Sequence, residues 1–485
     1  MSLITLKTEK FITEKMSELN VPGIAVSVVK DGAVVYQKGF GFRDMENKLP
    51  VDSATVFPLA STTKAMTAVC TAILKDENKL DFDTPVIKYL PEFRMYDEYA
   101  TMNVTLRDML SHNTGMPRHD FAWFGSNRTT AQFVESIRYL MPNKPFRTLY
   151  EYNNLMFATA GFLIERVSGK TWQEFIKERL FQPLGMNDTT TTIAGIEASP
   201  NKAFPYREKK DGKLEKIPYR NFDGMGACGT GNSSAADMAK WVIMNLGGGK
   251  YNGRQIVSEA SLKEIHTPVT VVKPPLPPMP EIPIITYAFG WNAVPYRGRF
   301  ALTHTGGIDG ISAFVGMIPE ENLGVVVLTN SDGQIMNTAA GYVIFDEALG
   351  VPFFDWASRL KERSDKLSEN SLNEMNLKAA ALRRSGAKPS HDLPEFAGIY
   401  EHKGYGAIEI KYDGETGLTA CFNGITLKLA GANNNLFEAW LDDDGKDPQL
   451  LLVSFGLNLK GDIKDLSVNI EPALGDNFTV FERKP

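Results

Sequence analysis

The stretch that decides the fold class is GIAVSVVKDGAVVYQKG at residues 23–39. Two runs rich in β-branched residues flank a turn signal, Lys30-Asp31-Gly32, so the stretch predicts an antiparallel hairpin. A second pair of this kind occupies residues 312–318 and 323–329. Helical patterns, including an all-helical subregion, fill the sequence between the two pairs. The pattern predicts an α+β domain whose antiparallel sheet takes strands from both ends and is flanked by helices.

The remainder of the chain predicts two further units. Residues 355–391 are rich in charged, helix-forming residues and predict a linker that is largely helical. Beyond them, short alternating segments at 406–412, 418–422, 426–429, 450–455 and 478–481 are typical of a small all-β barrel or sandwich. We therefore place the domain limits at 1–354, 355–391 and 392–485. Prolines crowd residues 267–285, which indicates an extended surface loop.

Composition excludes several classes of protein. The 485 residues are 43% apolar and 23% charged, which is ordinary for a globular chain and excludes disorder, collagen and coiled coil. A net charge of −6 offers no basic surface for phosphate backbones, so nucleic acid is not an expected partner. Cys70, Cys228 and Cys421 lie far apart and form no CxxC pair. We expect no disulfide framework, no metal site and no cofactor.

The N-terminal residues and the length of the apolar runs bear on localisation. The first residues lack the basic and apolar regions of a signal peptide, and no window reaches the roughly 18 apolar residues of a membrane span. We expect a cytoplasmic protein without a membrane span, or an exported one if a signal peptide has been removed.

A Ser-x-x-Lys pattern at Ser61 and Lys64 is the first candidate for chemistry, because on a helix this spacing puts the amine beside the hydroxyl. A low-dielectric site favours a neutral amine, which can accept the serine proton. The pattern occurs five times in the chain, but at Ser61 alone it opens a nearly uncharged helical run, residues 65–74. Taken alone, an ordinary N-cap serine with a solvated lysine is the commoner case.

Two further patterns accompany it. Tyr152-Asn153-Asn154 precedes an apolar helical run, and a phenol near an ammonium can act as a general base while an amide orients a carbonyl. For a lone Tyr152, an interfacial ring with a wet hydroxyl is the commoner case. His304-Thr305-Gly306-Gly307 precedes the second strand pair, where glycines let a ligand come close and a backbone N–H can meet an oxyanion. A single histidine near a glycine turn is more often structural.

In this order and at these separations, the three motifs resemble the penicillin-binding-protein and class C β-lactamase superfamily of serine hydrolases, in which Tyr-x-Asn takes the middle place. KLDFDTPV at 79–86, YLPEF at 89–93 and VTLRDMLSHNTGMP at 104–117 resemble the same superfamily, so the resemblance covers roughly residues 10–350. LPEFAGIYEH at 393–402 is similar to the lipocalin-like barrel that follows such hydrolase domains.

The resemblance implies a role for each matching residue. Ser61 would be the acyl-accepting nucleophile, Lys64 its proton partner, and Tyr152 the base that passes the proton to the leaving group and later activates water. The backbone N–H groups of Ser61 and Gly307 would form the oxyanion hole. His112 lies where the superfamily histidine is usually structural and stays outside the catalytic set. The residues expected to bind substrate are Asn154, His304 and Thr305.

One departure narrows the expected substrate. His304 stands where the superfamily has the lysine of Lys-Thr-Gly, which removes a permanent cation that holds a β-lactam or peptide carboxylate. Relatives with His-Thr-Gly are typically D-aminopeptidases, esterases, lactonases or oligomer-amide hydrolases. Lys64 is then the one cation that the motifs place in the cleft, so we expect small or neutral substrates.

The resemblance therefore implies a metal-free serine hydrolase that cleaves a small amide or ester, as a D-aminopeptidase-like peptidase or an esterase. A β-lactamase or D,D-carboxypeptidase is the alternative within the same chemistry. A non-hydrolytic sensor or filament-forming protein that retains the fold is the alternative from another class. Loops 119–128 and 267–285 are expected to wall the pocket, and the tail domain is expected to wall the cleft or to mediate a homo-oligomer.

Overall fold

The computed structural model describes residues 4–383, 387–441, 448–475 and 477–485. The α-helices in these residues are α1 (Leu6–Glu18), α2 (Thr63–Asp76), α3 (Glu98–Asn103), α4 (Leu106–Leu110), α5 (Thr130–Ser136), α6 (Asn154–Ser168), α7 (Trp172–Ile176), α8 (Gln182–Leu184), α9 (Ile193–Ala198), α10 (Ala235–Leu246), α11 (Glu259–His266), α12 (Ile335–Ala348) and α13 (Trp356–Arg383). Short 3₁₀ turns include Ala60–Thr62 and Asp120–Ala122, and a π-helical turn covers Lys177–Phe181.

The strands of the first part of the chain are β1 (Gly23–Lys30), β2 (Ala33–Asp44), β3 (Leu49–Pro50), β4 (Val56–Pro58), β5 (Tyr206–Glu208), β6 (Leu214–Lys216), β7 (Asn232–Ser234), β8 (Lys250–Tyr251), β9 (Arg254–Gln255), β10 (Thr270–Val272), β11 (Ile285–Tyr287), β12 (Asn292–Tyr296), β13 (Arg299–Ile308), β14 (Ile311–Ile318) and β15 (Leu323–Thr329). Those of the tail are β16 (Gly398–His402), β17 (Gly406–Asp413), β18 (Gly417–Phe422), β19 (Ile425–Asn433), β20 (Leu436–Leu441), β21 (Gln449–Leu457), β22 (Ile463–Val468) and β23 (Thr479–Arg483).

One antiparallel sheet joins the two ends of the first domain, in the order β10-β11-β12-β13-β14-β15-β1-β2-β3. Strand β1 pairs with β15 in the register Ile24↔Thr329 to Lys30↔Leu323. Both predicted hairpins, β1–β2 and β14–β15, are confirmed. The proline-rich loop also carries β10, which lies at the edge of the sheet, where the prolines around it interrupt no inner ladder.

Helices cover both faces of this sheet, which explains why β1 is buried along almost its whole length rather than at alternate residues. Ile24, Val26 and Val28 pack in the cluster that contains residues of α1 and α12. Ala25 and Val29 belong to the cluster that contains residues of α2 and α10. The α+β fold class is therefore confirmed, with α2 and α6 packed against each other on the second face.

The tail is a closed antiparallel barrel of strands β16–β23, which confirms the all-β expectation. In β17, Ile408 and Ile410 are buried while Glu409 is exposed, as an inward and outward alternation requires. Strands β16, β20 and β22 were missing from the prediction. Charged residues inside short strands hide the alternation: Glu438 of β20, for example, is buried and paired with Arg383 of α13.

Helix α13 leads from the sheet domain to the barrel and lies inside the predicted linker. The numbered domain limits themselves stay predictions. Although α13 has 28 residues, its many charges set it apart from a bilayer-spanning helix. No helix in the described parts of the chain combines the length and apolarity that crossing a membrane demands.

The barrel contacts the loop 118–128 of the sheet domain. The His119 backbone N–H donates to Glu471 Oε2 at 2.6 Å, and Asn423 Nδ2 donates to the Phe121 carbonyl at 3.1 Å. Arg128 Nη1 donates to the Gly404 carbonyl at 2.8 Å. The Phe121 side chain reaches a small apolar cavity of about 40 Å³ whose other lining residues all belong to the barrel. The barrel therefore stabilises this loop through three hydrogen bonds and the contact of the Phe121 side chain.

Candidate active site

Ser61 lies on the tight turn that leads from β4 into α2. The turn is the 3₁₀ segment Ala60–Thr62, and Ala60 just before the serine has a positive φ of 46°. Strand β13 runs directly beside this turn. A Cβ atom at Gly306 would lie 2.2 Å from the Leu59 carbonyl oxygen and 3.0 Å from the Ser61 nitrogen, so only glycine fits there. The close approach brings the two motifs into one site.

Lys64 is fully buried on the first turn of α2, which contradicts the alternative of a solvated surface lysine. Its Nζ donates to Ser61 Oγ at 3.1 Å, to Asn154 Oδ1 at 2.8 Å and to the Cys228 carbonyl at 2.7 Å. Three acceptors match the three N–H groups of an ammonium. A neutral amine would keep the bonds to Asn154 and Cys228 and turn its lone pair toward Ser61 Oγ. The geometry therefore suits both protonation states.

Tyr152 approaches the serine from the segment just before α6. Its hydroxyl donates to Ser61 Oγ at 2.8 Å, so it is not the wet hydroxyl of a surface ring. Two contacts hold the segment: the Asn153 side chain caps α6 by accepting from the Met156 N–H at 3.0 Å, and the Asn153 N–H donates to His112 Nδ1 at 3.1 Å. The His112 ring lies 4.3 Å from the Tyr152 ring, and burial holds the pKa of His112 well below its usual range.

Asn154 links the buried lysine to the loop 118–128. Its Oδ1 accepts from Lys64, and its Nδ2 donates to Asp120 Oδ1 at 3.0 Å. Asp120 also accepts from Trp123 Nε1 at 2.8 Å and from Arg118 Nε at 2.5 Å. Because its Oδ1 and one of its two N–H groups are already bonded, the amide has less freedom to contact a substrate than the sequence suggested.

His304 is buried on β13 and is held by two hydrogen bonds. Nδ1 lies 2.6 Å from the Thr305 carbonyl, which can only accept, so this nitrogen carries the proton. Nε2 then accepts from the Tyr287 hydroxyl at 2.9 Å. Burial, followed by the charge of Lys64, lowers the pKa of His304 to about 3. The ring is therefore neutral near pH 7 and replaces the motif lysine without replacing its charge.

A cavity of about 210 Å³ opens in front of Ser61. Gly307 lines it together with Ser61, and β12 pairs with β13 only as far as Thr303, so the β13 edge beyond Thr303 lacks that neighbour. Neither His304 nor Thr305 lines the cavity, and neither does loop 267–285. The aromatic residues that line it are Trp123, Phe124 and Phe222, and the charged ones are Arg118, Asp120 and Asp309.

Sequence reasoning named loop 119–128 as a wall but missed the individual residues Arg118 and Asp120. Their one available signal was position, because they directly follow the motif-like stretch that ends at Pro117. Among the described residues, no three His, Cys, Asp or Glu side chains come together as metal ligands would. The free cysteines Cys70 and Cys228 are buried, and Cys421 is partly exposed.

Comparison with known proteins identifies the family of the chain. The Beta-lactamase family matches residues 8–347, and a domain of unknown function, DUF3471, matches residues 382–483. The chain belongs to the beta-lactamase family. The unguisins hydrolase ungD of Aspergillus violaceofuscus is 30% identical over 98% of this chain and 90% of its own length. Protein flp of Staphylococcus aureus is 24% identical over 67% of this chain and 63% of its own length.

Solved structures agree with this assignment. The octameric penicillin-binding protein homologue from Pyrococcus abyssi is 25% identical, with a TM-score of 0.63 over 98% of this chain and 99% of that one. A class C beta lactamase from Rhodobacter sphaeroides is 20% identical, with a TM-score of 0.57 over 71% of this chain and 99% of that one. The latter likeness concerns the fold alone. A beta-lactamase fold followed by a barrel is therefore shared along nearly the whole chain with the Pyrococcus abyssi protein.

Proposed function

We propose that the protein is a serine hydrolase that cleaves a small amide or ester through an acyl-enzyme on Ser61. The observation that carries this proposal is the hydrogen-bonded set in which Ser61 Oγ meets both Lys64 Nζ and the Tyr152 hydroxyl. A serine hydroxyl needs a base within hydrogen-bond reach to become a nucleophile, and this one has two. The relative named as an unguisins hydrolase supports hydrolysis as the reaction.

In the acylation step, the Ser61 hydroxyl proton passes to the neutral Lys64 amine as Oγ bonds to the substrate carbonyl carbon. The backbone N–H groups of Ser61 and Gly307, two residues that line the cavity, would stabilise the resulting oxyanion. Collapse of the tetrahedral intermediate breaks the bond to the leaving amine or alcohol, which takes the proton of the Tyr152 hydroxyl, and the Lys64 ammonium returns a proton to the Tyr152 oxygen. Water, which gives a proton to the same Tyr152–Lys64 pair, then attacks the acyl carbon, and Ser61 Oγ leaves and takes that proton back.

The electrostatics around Tyr152 suit this role. Lys64 Nζ lies 4.9 Å from the centroid of the Tyr152 ring, and Arg118 Cζ lies 4.9 Å from the same centroid. Negative charge that develops on the phenol oxygen during proton transfer therefore forms between two cations, which lowers the barrier. Peptides with D-residues and simple esters are the substrates that fit this proposal.

The test is covalent labelling together with activity. A fluorophosphonate probe should add its mass to Ser61, and Ser61→Ala should abolish labelling and lower kcat/KM on p-nitrophenyl esters and aminoacyl-p-nitroanilides by about 10⁴-fold or more. Ser358→Ala is the matched control, because Ser358 and Lys361 form another Ser-x-x-Lys pair on the exposed face of α13. If Ser61 stays unlabelled and Ser61→Ala keeps full activity, the mechanism is wrong and a non-hydrolytic protein becomes the better description.

The β-lactamase or D,D-carboxypeptidase alternative is tested in the same panel. At the β13 position from which the motif lysine would hold a β-lactam carboxylate, this chain has the neutral His304, so a chromogenic cephalosporin should turn over much more slowly than the best ester. Comparable rates for the two substrates would favour the alternative.

Self-association is a further proposal for this chain. The octameric state named for the Pyrococcus abyssi relative supports it, since that likeness includes the barrel as well as the sheet domain. Light scattering on the full chain measures it directly.

A further inference from the structure

We propose that Arg118 binds a negatively charged group of the substrate, so that the preferred amide or ester carries a carboxylate close to the bond that is cleaved. This inference rests on the proposed hydrolase function. It replaces the expectation of neutral substrates, which assumed that Lys64 is the one cation in the cleft. The structure adds Arg118, which the motifs did not include.

The position of Arg118 places it beside the reacting serine. It lines the same cavity as Ser61, and its guanidinium lies over the ring of Tyr152, whose hydroxyl is bonded to Ser61 Oγ. An anion held by Arg118 is therefore bound inside the cavity, on the wall next to the nucleophile.

The hydrogen bonds of Arg118 leave its outer edge available. Nε donates to Asp120 Oδ2 at 2.5 Å, while within the described residues the two terminal nitrogens have no protein acceptor. The side chain is 54% exposed. A guanidinium fixed by one carboxylate and stacked on a ring is already oriented, and its two terminal nitrogens match the two oxygens of a carboxylate.

The other charges near the cavity do not compete for the same ligand. Lys64 is buried and all its N–H groups are bonded, and His304 is neutral near pH 7. Asp120 accepts hydrogen bonds from Arg118, Asn154 and Trp123, and Asp309 is paired with Arg220. Both carboxylates already have partners, so among these charged groups the one left to bind a ligand is a hydrogen-bond donor, the Arg118 guanidinium. This favours an anionic substrate group over an amine.

A merely structural role is the competing explanation, because Arg118 also holds Asp120, which orients Asn154. The two roles differ in selectivity. Loss of a structural contact lowers turnover of charged and neutral substrates alike, whereas loss of an anion site lowers the preference for the charged one.

The experiment compares matched esters on the full chain. Mono-p-nitrophenyl succinate and glutarate carry the charge on the acyl side, with p-nitrophenyl butyrate and valerate as neutral partners. A second pair carries the charge on the leaving group: butyryl 3-hydroxybenzoate is the charged ester, and phenyl butyrate is its neutral partner. We expect at least one charged ester to exceed its neutral partner about 10-fold or more in kcat/KM, and this excess to shrink with added salt.

Arg118→Gln should reduce that charged-to-neutral ratio about 10-fold or more, mainly through KM. Arg118→Lys should restore part of the ratio, because lysine returns the positive charge but not the two parallel N–H donors of the guanidinium. Arg166→Gln removes the same charge from a solvent-exposed position in the last turn of α6, outside the cavity, and should keep the wild-type ratio. Thermal unfolding and fluorophosphonate labelling of Ser61 verify that each variant is folded.

Two outcomes overturn the inference while the proposed function stands: Ser61-dependent turnover without preference for any charged ester, or a ratio that Arg118→Gln leaves unchanged. Absence of both turnover and labelling in the wild type would remove the proposed function, and this inference with it.

Discussion

The two sides of the cavity are held in different ways. On the nucleophile side, the contacts of Lys64 with Ser61, Asn154 and Cys228 all lie within the sheet domain. On the adjoining wall, loop 118–128 carries Arg118 and Asp120 into the cavity and is held by contacts with the barrel. None of the described barrel residues lines the cavity, yet the barrel supports the loop that does.

This difference suggests that the nucleophile side governs the chemical step and that the loop side governs substrate binding. A buried, fully bonded lysine inside a packed helix pair has one arrangement, because any displacement leaves polar groups unpaired. A loop held across a domain contact depends on both domains. We infer that changes on the nucleophile side alter the rate of acylation, while changes at the barrel contact alter substrate binding and stability.

The largest expected effect is on the nucleophile side. Lys64→Met keeps the buried volume but removes the proton partner of Ser61, and we expect kcat/KM to fall about 10³-fold or more. The Cys228 carbonyl and Asn154 Oδ1 also lose a donor, which costs about 1–3 kcal/mol each, offset by no longer burying an ammonium. Ester hydrolysis and fluorophosphonate labelling measure the loss.

Lys361→Met is the control for that variant, since Lys361 belongs to a Ser-x-x-Lys pair on α13 and is exposed. It should leave activity at the wild-type level. A Lys64→Met protein that retains more than about a tenth of wild-type activity would assign the base function to Tyr152 alone.

The barrel contact should respond differently. Phe121→Ala removes a ring that lines the small apolar cavity of the barrel, and we expect the free energy of unfolding to fall by about 2–4 kcal/mol, because the cavity is enlarged. KM should rise while the labelling rate of Ser61 changes much less. Denaturant titration and the two kinetic measurements separate these effects.

Leu459→Ala is the matched control on the barrel, because Leu459 is fully exposed there. If Phe121→Ala slows labelling of Ser61 as much as it raises KM, the two sides of the cavity are coupled rather than independent.

The smallest effect concerns pH at the same contact. His119 is buried, with Nε2 bonded to the Met141 carbonyl and Nδ1 accepting from the Tyr405 hydroxyl. Burial lowers the pKa of His119 to about 4. The unfolded chain binds a proton near pH 6.5 and the folded chain does not, so the stability contributed by His119 is present above pH 6.5 and is lost as pH falls toward 4.

His119→Gln can keep both hydrogen bonds without titrating. Between pH 7 and pH 5 the wild type should lose about 2 kcal/mol more unfolding free energy than this variant, as measured by denaturant titration at the two pH values. Equal losses in the two proteins would show that His119 is protonated in the folded chain, and that the contact of loop and barrel is looser than described.

Much of the site followed from local sequence. Ser61 and Lys64 lie on the continuous turn that leads from Ala60–Thr62 into α2, and Asn154 begins α6 two residues after Tyr152, so the short spacings predicted which residues of each motif are neighbours. The hairpins followed from β-branched runs around turn residues. Strands with internal charges, such as β20, were missed, because their burial depends on a partner from a distant helix.

The sequence by itself determined the fold class, the two domain types and the identity of the motif residues, because these depend on periodicity, turn chemistry and short spacings. The tertiary structure alone decided three things: that Gly306 lets β13 reach the Ser61 turn, that His304 is neutral, and that Arg118 stands over Tyr152. Each is a relation between residues far apart in the chain. Burial, charge proximity and hydrogen-bond pairing arise only when the fold brings such residues together.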